Sequence, residues 1–419
     1  MRDGDFSQST KNILAKRAGF ECSVPHCKVR TIGPGASPDQ TASVGQASHI
    51  YSAGKNGPRG HGGLTHEQLS HHDNGIWTCE LHGTVIDNNQ GQAFPAGLLR
   101  SWKEWHEKRI ANASTGAPMD RRINEILLIR SPLFAPKSII KLGRVTVVSS
   151  THSGAGRTAL CQWLSGIRNR RDLHRWIGGC ARRALNVQVS YSDQSERVLA
   201  MDVEINSQPR FSLDGIQQPE APTGIDFVYL KERYLDRRAG DDLTSMARLF
   251  GVDVETVRAL AEQVGAQGNN RFRELKFEPA TADEDAPPES ILHEDGTAKM
   301  NLFVETYDPS ERFPLEFMSA SVETEVLLAM AIELAKCRSK QQPTLLIIEG
   351  KFWNFMHELF EQIANAIDDC ARQCQVLLIE PNFPLDKAQM LKREWLLYNI
   401  DRPPSQKNQP RLPANIVNR

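Results

Sequence analysis

The sequence predicts a protein of two domains, with a small α+β metal-binding module in front of a larger α/β domain. Its 419 residues are too many for one ordinary hydrophobic core. Eight of the twelve histidines lie before residue 110, which concentrates metal or proton chemistry in the N-terminal part. Within residues 141–165 a β-branched strand is followed by a glycine-bearing loop and a helical segment, an order typical of α/β domains.

The composition is that of an ordinary globular protein, with 40% hydrophobic and 24% charged residues. The formal net charge is −1, so any contact with nucleic acid must use a local patch of positive charge. The N-terminus lacks the apolar core of a secretory signal, and no apolar run has the length of a membrane span. Eight cysteines without such a signal predict a reducing, cytoplasmic environment, where closely spaced cysteines are metal ligands more often than disulfides.

Shifts in composition predict the domain boundaries. The segment "ANASTGAPMD" is small and polar and contains proline and glycine, which is typical of a linker. The end of the chain is rich in proline and asparagine, which predicts disorder. We therefore expect a metal-binding module at 1–112, a linker at 113–124, a second domain at 125–400 and a flexible tail at 401–419.

Two short-spaced pairs of metal ligands lie about fifty residues apart in the N-terminal module. The pairs are Cys22 with Cys27 and Cys79 with His82. Each spacing lets both ligands reach one ion from a tight turn, and sulfur with imidazole favours tetrahedral zinc. The sequence therefore predicts a structural Zn²⁺ held by these four residues, with His26 as the alternative to a cysteine.

Four separated motifs in the same region agree with one known family in order and spacing. They are "RAGFEC", "ASHIYSAGKNGPRG", "DNGIWTCELHGTVID" and "LLRSWKEWHEKRI", within residues 10–110. This region resembles the HNH endonuclease family, in the subgroup that opens many bacterial anti-phage defence effectors. The resemblance implies a fold of two strands and a helix around a catalytic divalent metal, clamped by a zinc ribbon.

The resemblance also implies roles for two residues. His49 matches the general base that takes a proton from the attacking water, and Asn74 matches the asparagine that orients this histidine through a hydrogen bond. Chemistry supports the assignment, because phosphodiester hydrolysis near neutral pH needs an activated water and a cation on the phosphate. The alternative for His49 is a core histidine at the end of a strand.

Two metal contacts of the family are missing from this sequence. Gly83 stands where a second histidine binds the catalytic metal, and Ser48 stands where an acid often precedes the first histidine. Asp87 lies one helical turn after Gly83, so its carboxylate is the expected substitute for a Mg²⁺ or Mn²⁺ ligand. The alternative is a helix-end acid, and His71 and His72 are further possible ligands.

A glycine-rich loop in the module offers contacts to nucleic acid. Lys55 and Arg59 lie in this loop, where flexible backbone lets a phosphate approach closely. The expected substrate is nucleic acid, with DNA ahead of RNA.

The second domain opens with a segment that partly matches a phosphate-binding loop. Gly154, Gly156 and Thr158 fit the pattern of a glycine-bearing loop that leads into a helix. Arg157 stands in place of the expected lysine, and Thr151 stands in place of the first glycine. The segment predicts a site for ATP or another nucleotide.

Two later segments resemble parts of the ATP-binding-cassette heads of the SMC type. Residues 317–336 resemble the signature segment, in which a loop of small residues starts a long apolar helix. Residues 343–350 form an apolar strand that ends in Glu349, like a Walker B strand, and residues 375–381 form another such strand. The signature glycines and the acid before Glu349 are missing. The resemblance implies an ATPase-like head that senses, docks or dimerises, with doubtful hydrolysis.

Residues 245–264 have the rhythm of a helix-turn-helix, with Ala247, Gly251 at the turn and Val257 on the second helix. In that hypothesis Arg258 faces outward. We prefer the interpretation that this segment is a helical hairpin inserted in the head.

Together these features predict a metal-dependent HNH endonuclease in bacterial defence, controlled by a nucleotide-binding domain. Two alternatives remain open. One is an effector nuclease whose second domain senses a cyclic oligonucleotide, and the other is a nuclease-dead scaffold that binds nucleic acid. The expected partners are nucleic acid, a nucleotide, and either a second copy of the chain or a partner defence protein. No membrane partner is expected.

Overall fold

The structure is a computed structural model. It describes residues 4–25, 27, 29–115, 121–150, 156–177, 184–193, 195–231, 235–237, 240–267, 272–281, 291–307, 312–349, 360–379, 387–400 and 415–416. The predicted tail at 401–419 lies outside the described residues except for a strand of two residues at 415–416.

The N-terminal part consists of short strands and helices. Its elements are α1 (Gln8–Arg17), β1 (Ile32–Pro34), β2 (Thr41–Ser43), β3 (Gly45–His49), α2 (His66–Ser70), β4 (Gly75–Cys79), α3 (Glu80–Asp87) and α4 (Ala96–Thr115). β1 pairs with β2, and β3 pairs with β4, both antiparallel. α3 follows β4 directly and packs against both β3 and β4. α1 begins where the Ser7 hydroxyl accepts a hydrogen bond from the Thr10 amide, which satisfies an otherwise unpaired donor.

An antiparallel sheet of six strands follows. Its strands, in sheet order, are β11 (Ile216–Gln218), β10 (Arg210–Leu213), β9 (Ser195–Val203), β8 (Leu185–Asp193), β5 (Arg122–Arg130) and β6 (Ser138–Lys141). Along β8 the first five residues alternate between buried and half-buried side chains, as expected for a sheet with one face on the core.

A second six-stranded sheet forms the centre of the larger domain. Its strands, in sheet order, are β12 (Asp226–Leu230), β16 (Thr344–Ile348), β17 (Gln375–Ile379), β7 (Val145–Ser149), β18 (Leu396–Asn399) and β19 (Asn415–Ile416). The first five strands are mutually parallel, and β19 is antiparallel. β16 and β17 are buried along their whole length, because alternate side chains pack against helices on one face and against the antiparallel sheet on the other.

The helices of this domain connect and cover the parallel strands. They are α5 (Arg157–Ser165), α6 (His174–Ile177), α9 (Ala320–Ser339), α10 (Phe360–Cys370) and α11 (Lys387–Lys392). β7, β16 and β17 lie within the strands predicted at Val145, 343–350 and 375–381, of which residues 350 and 380–381 lie outside the described part of the chain. The long helix predicted after the segment of small residues is confirmed by α9.

A helical hairpin and a three-stranded sheet extend the domain. These elements are α7 (Asp242–Phe250), α8 (Val254–Ala266), β13 (Phe272–Pro279), β14 (Met300–Thr306) and β15 (Arg312–Pro314). Gly251 ends α7 in the left-handed region at φ 65°, which confirms the predicted turn between two helices. Arg258 is half-buried, and its guanidinium lies over the Phe277 ring, 5.9 Å from the ring centroid. Its role in a helix-turn-helix stays a hypothesis.

The two predicted domains share packing contacts. α4 continues to Thr115 and β5 begins at Arg122, so regular elements extend into both ends of the predicted linker at 113–124. Buried side chains of the N-terminal module and of both large sheets form one continuous hydrophobic cluster. The Gln375 side chain joins the two sheets, since it accepts from the Ile123 amide at 2.6 Å and donates to the Ile123 carbonyl at 2.8 Å.

None of the helices in the described part of the chain combines the length and the apolar composition needed to cross a bilayer.

Candidate nucleotide site and metal cluster

The carboxyl edge of the parallel sheet is the first place where predicted site residues come together. β7 ends there, and α5 begins at Arg157 after the turn residue Gly156. Gly156 has φ 95°, a conformation that a side chain disfavours, so glycine is required at this position. The amide groups of the first turn of α5 therefore open toward this edge, which suits an anionic ligand.

Thr158 and Glu349 meet at this edge, although 191 residues separate them in the sequence. The Thr158 hydroxyl donates a hydrogen bond of 2.7 Å to Oε1 of Glu349. Glu349 follows β16 directly, and its side chain is 7% exposed. In P-loop NTPases, Mg²⁺ is held by a hydroxyl of the first helical turn together with an acid, usually aspartate, at the end of a parallel strand.

Tyr229 completes the surroundings of this carboxylate. Its hydroxyl donates a hydrogen bond of 2.8 Å to Oε2 of Glu349. Burial strongly raises the pKa of the Tyr229 phenol, so the group stays protonated and acts as a donor. Cys161 is also fully buried nearby, and burial together with the Glu349 charge raises the pKa of its thiol. Both oxygens of Glu349 thus accept hydrogen bonds from protein side chains.

Of the other residues predicted to bind a nucleotide, the structure describes Arg157 but not Gly154. Arg157 opens α5 and is half-buried. Gly154 and Thr151 lie outside the described residues. Glu349, Gly156 and Thr158 are brought to one edge, and their role in nucleotide binding stays a prediction.

The second group of predicted residues is the metal cluster of the N-terminal module. The ligand atoms of Cys22, Cys27, Cys79 and His82 all lie within 4.8 Å of one another. Nδ1 of His82 is 3.7 Å from the Cys22 sulfur and 3.2 Å from the Cys79 sulfur. Ligands of a tetrahedral zinc lie about 3.5–3.8 Å apart, given zinc–sulfur bonds of about 2.3 Å and zinc–nitrogen bonds of about 2.0 Å.

Local backbone turns position these four ligands. The Cys27 amide donates to the Val24 carbonyl at 3.1 Å, which folds the segment from Cys22 to Cys27 into a turn. Cys79 ends β4, and His82 lies in the first turn of α3. Burial raises the pKa of the Cys22 thiol to about 12, so this sulfur becomes a thiolate ligand only with a cation beside it. His26 lies outside the described residues.

His49 ends β3 in a half-buried position. Its ring stacks on Phe6 at a centroid distance of 3.8 Å, and its Nε2 donates to the Gly4 carbonyl at 3.0 Å. Burial lowers the pKa of His49, which favours the neutral imidazole that a general base requires. The stacked and hydrogen-bonded ring also fits the alternative of a core histidine.

Asn74 does not orient His49 as predicted. Its side chain is buried and bonds to the backbone instead: Oδ1 accepts from the Tyr51 amide at 2.9 Å, and Nδ2 donates to the carbonyls of Tyr51 and Leu69 at 2.8 and 3.0 Å. The physical reason is that the chain after His49 is irregular and needs partners for its backbone groups. Asn74 therefore stabilises the loop that follows β3.

The space beside Gly83 is filled by another side chain. A Cβ atom at Gly83 would lie 1.4 Å from Nε2 of Gln46, so no larger residue fits without displacing this amide. On β3, the hydroxyl of Ser48 lies 2.9 Å from that of Thr78 in a buried pair. The two positions where the family places metal ligands are thus occupied by an amide and a hydroxyl.

Asp87, the expected substitute for the metal ligand missing at Gly83, already has an ionic partner. Its Oδ1 accepts from Arg59 at 2.5 Å, and the Arg59 side chain is only 4% exposed. The same guanidinium donates to the carbonyls of His49, Ile50 and Ile86 at 3.0, 2.6 and 2.7 Å. Asp87 is therefore the counter-ion of a buried arginine, and Arg59 stabilises the loop and is not available as a phosphate contact.

The other predicted contacts lie at the surface. Lys55 is exposed. His71, His72 and Asp73 form a second group close enough to share an ion, but the group is largely exposed and each histidine already lies within 3.2 Å of the Asp73 carboxylate. Within the described ranges these three residues and the Cys/His cluster are the groups with metal-binding geometry.

The roles of three residues that shape these sites were not identified from the sequence. Tyr229 could have been noticed as a polar residue near the end of a buried strand. Gln46 and Arg59 gave no signal for their roles, which depend on contacts with residues 37 and 28 positions away.

No protein-family model and no curated protein matches the sequence. Among solved structures the chain is similar to the SMC head bound to the C-winged helix domain of ScpA, with TM-score 0.46 and 10% identity over 71% of this chain and 97% of that chain. It is also similar to the SMC head domain from Thermotoga maritima, with TM-score 0.40 and 11% identity over 71% of this chain and 98% of that chain.

It is also similar to RecF–ATP of the RecFOR pathway, with TM-score 0.41 and 11% identity over 68% of this chain and 96% of that chain. Because these TM-scores are below 0.5, the similarities determine neither activity nor ligand. The nuclease resemblance of the sequence stays a prediction.

Proposed function

We propose that this chain binds a Mg²⁺–nucleoside triphosphate at the carboxyl edge of its parallel sheet. The observation that supports this most is the hydrogen bond between Thr158 and Glu349 directly beside the start of α5. The N-terminal module, in the same proposal, is a zinc-stabilised domain without nuclease activity.

The residues at the edge fit such a ligand. Gly156 and the first amides of α5 suit phosphate oxygens, because a helix N-terminus offers unpaired donors and partial positive charge. The hydroxyl of Thr158 and the carboxylate of Glu349 are the oxygen ligands that Mg²⁺ prefers. When bound, Mg²⁺ would neutralise charge on the phosphates, and these two residues would hold it.

Turnover is expected to be slow. Glu349 already accepts hydrogen bonds on both oxygens, from Thr158 and from Tyr229. The two hydrogen bonds leave a second lone pair on each oxygen for a metal ion. A carboxylate that binds the metal is not free to take a proton from water. The bound nucleotide would therefore control the conformation or the partners of the head.

The cluster of Cys22, Cys27, Cys79 and His82 fits zinc by its chemistry and by its spacing. The four residues connect a turn after α1 to the junction of β4 and α3. Zinc at this point would stabilise a module whose own core is small.

The described residues do not fit a catalytic metal beside His49. Gln46 fills the space next to Gly83, and Asp87 is paired with Arg59. This arrangement favours the alternative of a nuclease-dead module over the predicted endonuclease.

Calorimetric titration with ATP tests the nucleotide site. The wild-type protein should bind one ATP per chain with Mg²⁺, and chelation of Mg²⁺ by EDTA should weaken binding at least about tenfold. Thr158→Ala should lose the Mg²⁺ effect, because it removes one of two metal-holding groups. The exposed Thr84→Ala serves as the matched control and should bind like wild type. Equal affinities with and without Mg²⁺ would refute the site.

Metal analysis and a cleavage assay test the N-terminal module. Elemental analysis should find one zinc per chain, which Cys79→Ala should remove. Plasmid DNA and RNA incubated with Mg²⁺ or Mn²⁺ should remain intact. Cleavage that disappears in His49→Ala would instead establish the nuclease.

A further inference from the structure

A solvent-open cavity lies between the α7–α8 turn and the C-terminal half of α9. Its volume is about 820 Å³. Three arginines from different elements line it: Arg171 from the segment after α5, Arg248 from the last turn of α7, and Arg338 from the last turn of α9. The acid in its wall is Asp253, which caps α8 through a hydrogen bond of 2.7 Å from the Thr256 amide.

A second cavity of about 380 Å³ continues this one along α8 and α9. Cys337 lines both cavities, and its sulfur lies 3.6 Å from Oε1 of Gln263, so the α8 and α9 walls touch between them. We call the two adjacent cavities together the α8–α9 groove. Its walls run from Asp253 to Gln267 along α8, which at 1.5 Å per residue is a length of about 20 Å. Lys336 and Lys340 add two cationic groups, and Glu333 adds one acid.

The groove has a net positive charge in a chain that is nearly neutral. Five cationic side chains against two acids give the lining a net charge of +3, whereas the whole chain has −1. The acids are engaged: Glu333 pairs with Lys336 at 3.0 Å, and Asp253 is the helix cap. Acids outside the lining compensate part of this charge: Arg168 and Arg338 share the carboxylate of Asp226, and Lys336 lies 3.5 Å from Asp369.

The rim of the groove extends the positive surface. The segment 168–175 contains four exposed arginines, Arg168, Arg170, Arg171 and Arg175. Its one acid, Asp172, is buried and bound by Lys231 at 2.7 Å. The charge of Asp172 is therefore withdrawn from the surface. Within the described residues, the exposed arginines of the segment are then balanced only by Asp226, which pairs with Arg168.

We propose that the α8–α9 groove and its arginine rim bind the phosphate backbone of a nucleic acid. Arginine and lysine side chains from separate elements are the usual contacts of a phosphate backbone, and they require no base recognition. A length of about 20 Å corresponds to about six base-pair steps along the axis of a duplex, at about 3.4 Å each. An open, elongated groove suits a polymer better than a small ligand, which is normally enclosed on most sides.

This surface is separate from the proposed nucleotide site, which depends on Thr158 and Glu349. It also differs from the contacts that the sequence predicted for nucleic acid. Arg59 is buried in an ion pair, and Lys55 lies in the N-terminal module. Loss of nucleic-acid binding and loss of ATP binding can therefore be measured independently.

Fluorescence anisotropy with labelled DNA, performed without nucleotide at several salt concentrations, tests the proposal. The test variant is Arg171→Gln/Arg248→Gln/Lys340→Gln, since all three side chains are exposed. The matched control is Lys16→Gln/Lys55→Gln/Lys137→Gln, which removes the same charge from exposed residues elsewhere. Calorimetry with ATP and circular dichroism check that each variant is folded.

The test variant should bind DNA at least about tenfold more weakly. The slope of log affinity against log salt should fall by about 2–3, because each phosphate contact contributes about 0.7–0.9. The single variants Arg171→Gln and Lys340→Gln should each lower the slope by about 0.7–0.9, the contribution of one phosphate contact. These variants keep the test valid if the triple variant misfolds. The control should match wild type.

Three results would overturn the proposal. One is wild-type protein that binds neither duplex nor single-stranded DNA or RNA. Another is an equal loss in the control variant, which would mean general attraction by total charge. The third is polyglutamate that competes as well as DNA at equal charge concentration, which would indicate an acidic protein as the partner.

Discussion

The carboxylate of Glu349 is the residue-scale feature on which the proposed site depends. It is buried at the end of β16 and is held between two hydroxyl donors, Thr158 and Tyr229. A buried charge of this kind is tolerated only when hydrogen bonds compensate the lost hydration. The two donors therefore stabilise the fold in addition to orienting the carboxylate.

Removing one donor should destabilise the protein measurably. Tyr229→Phe should lower the free energy of unfolding by about 1–3 kcal/mol, because Oε2 of Glu349 loses its partner while still buried. Chemical denaturation measures this change. Because Thr158 and Tyr229 share one carboxylate, the double variant with Thr158→Ala should deviate from additivity by about 0.5 kcal/mol or more. Additive effects would show that the two hydroxyls do not act on the same group.

His106 on α4 makes the stability of the N-terminal module dependent on pH. Its Nε2 donates to the Ala18 carbonyl at 2.9 Å, and burial lowers its pKa from 6.5 to about 4. The folded protein keeps this histidine neutral, whereas the unfolded chain takes up a proton below pH 6.5. Its contribution to stability is therefore complete above pH 6.5 and is lost as the pH falls toward 4.

The corresponding measurement compares wild type with His106→Gln by denaturant unfolding. Between pH 7.5 and pH 5.5, wild type should lose about 1 kcal/mol more than the variant, given about 1.36 kcal/mol per pKa unit. Other groups that titrate in this range contribute equally to the stability of both proteins, so their contributions cancel in the difference. Parallel curves for both proteins would exclude His106 as the cause.

At the scale of elements, the turn between α7 and α8 forms one end of the proposed nucleic-acid groove. Gly251 has φ 65°, and no heavy atom lies within 4 Å of the position that a Cβ would occupy, so backbone conformation alone disfavours alanine. Gly251→Ala should lower the free energy of unfolding by about 1 kcal/mol. Gly33, which is equally open but has an ordinary φ, provides the control, and Gly33→Ala should be neutral.

A loss of the same size in both glycine variants would mean that φ at Gly251 is not the cause. Chemical denaturation resolves a difference of this size better than thermal unfolding, because about 1 kcal/mol shifts the thermal midpoint by only about 1 °C in a chain of 419 residues.

Elements that depend on local pattern were predictable from the sequence, and contacts between distant elements were not. Apolar strands such as the one before Glu349, and the glycine turn at Gly251, follow from composition and spacing alone. The cluster of Cys22, Cys27, Cys79 and His82 was also predictable, because metal ligands come in short-spaced pairs.

The site around His49 was not predictable in the same way. A family resemblance assigns roles by position, but it says nothing of which side chain fills a space left by a smaller residue. Here Gln46 fills the space beside Gly83, and Arg59 engages Asp87. Both partners come from other parts of the fold, so only the three-dimensional structure identifies them.

At the scale of the whole molecule, the N-terminal module is packed against the larger domain. A Cβ atom at Gly97 of α4 would lie 2.4 Å from the Glu394 carbonyl, so α4 approaches the turn before β18 at backbone distance. Arg100 pairs with the Glu394 carboxylate, and Glu104 pairs with Arg144 at 3.3 Å. The sequence predicted a linker between separate domains, and it could not show this contact because nothing local in the chain encodes it.

This packing places the metal cluster and the parallel sheet in one continuous structure. A ligand at the carboxyl edge of the sheet could therefore influence the module through the strands that carry the shared core. The central claim remains that Thr158 and Glu349 hold a nucleotide-bound divalent cation.

Binding of Mn²⁺, followed by the relaxation of water protons, tests that claim most directly. With a non-hydrolysable ATP analogue present, wild-type protein should bind one Mn²⁺ per chain in addition to the zinc, and this binding should be lost in Glu349→Gln, which keeps the size of the side chain but removes its charge. Mn²⁺ binding that is unchanged in Glu349→Gln would contradict the proposed site.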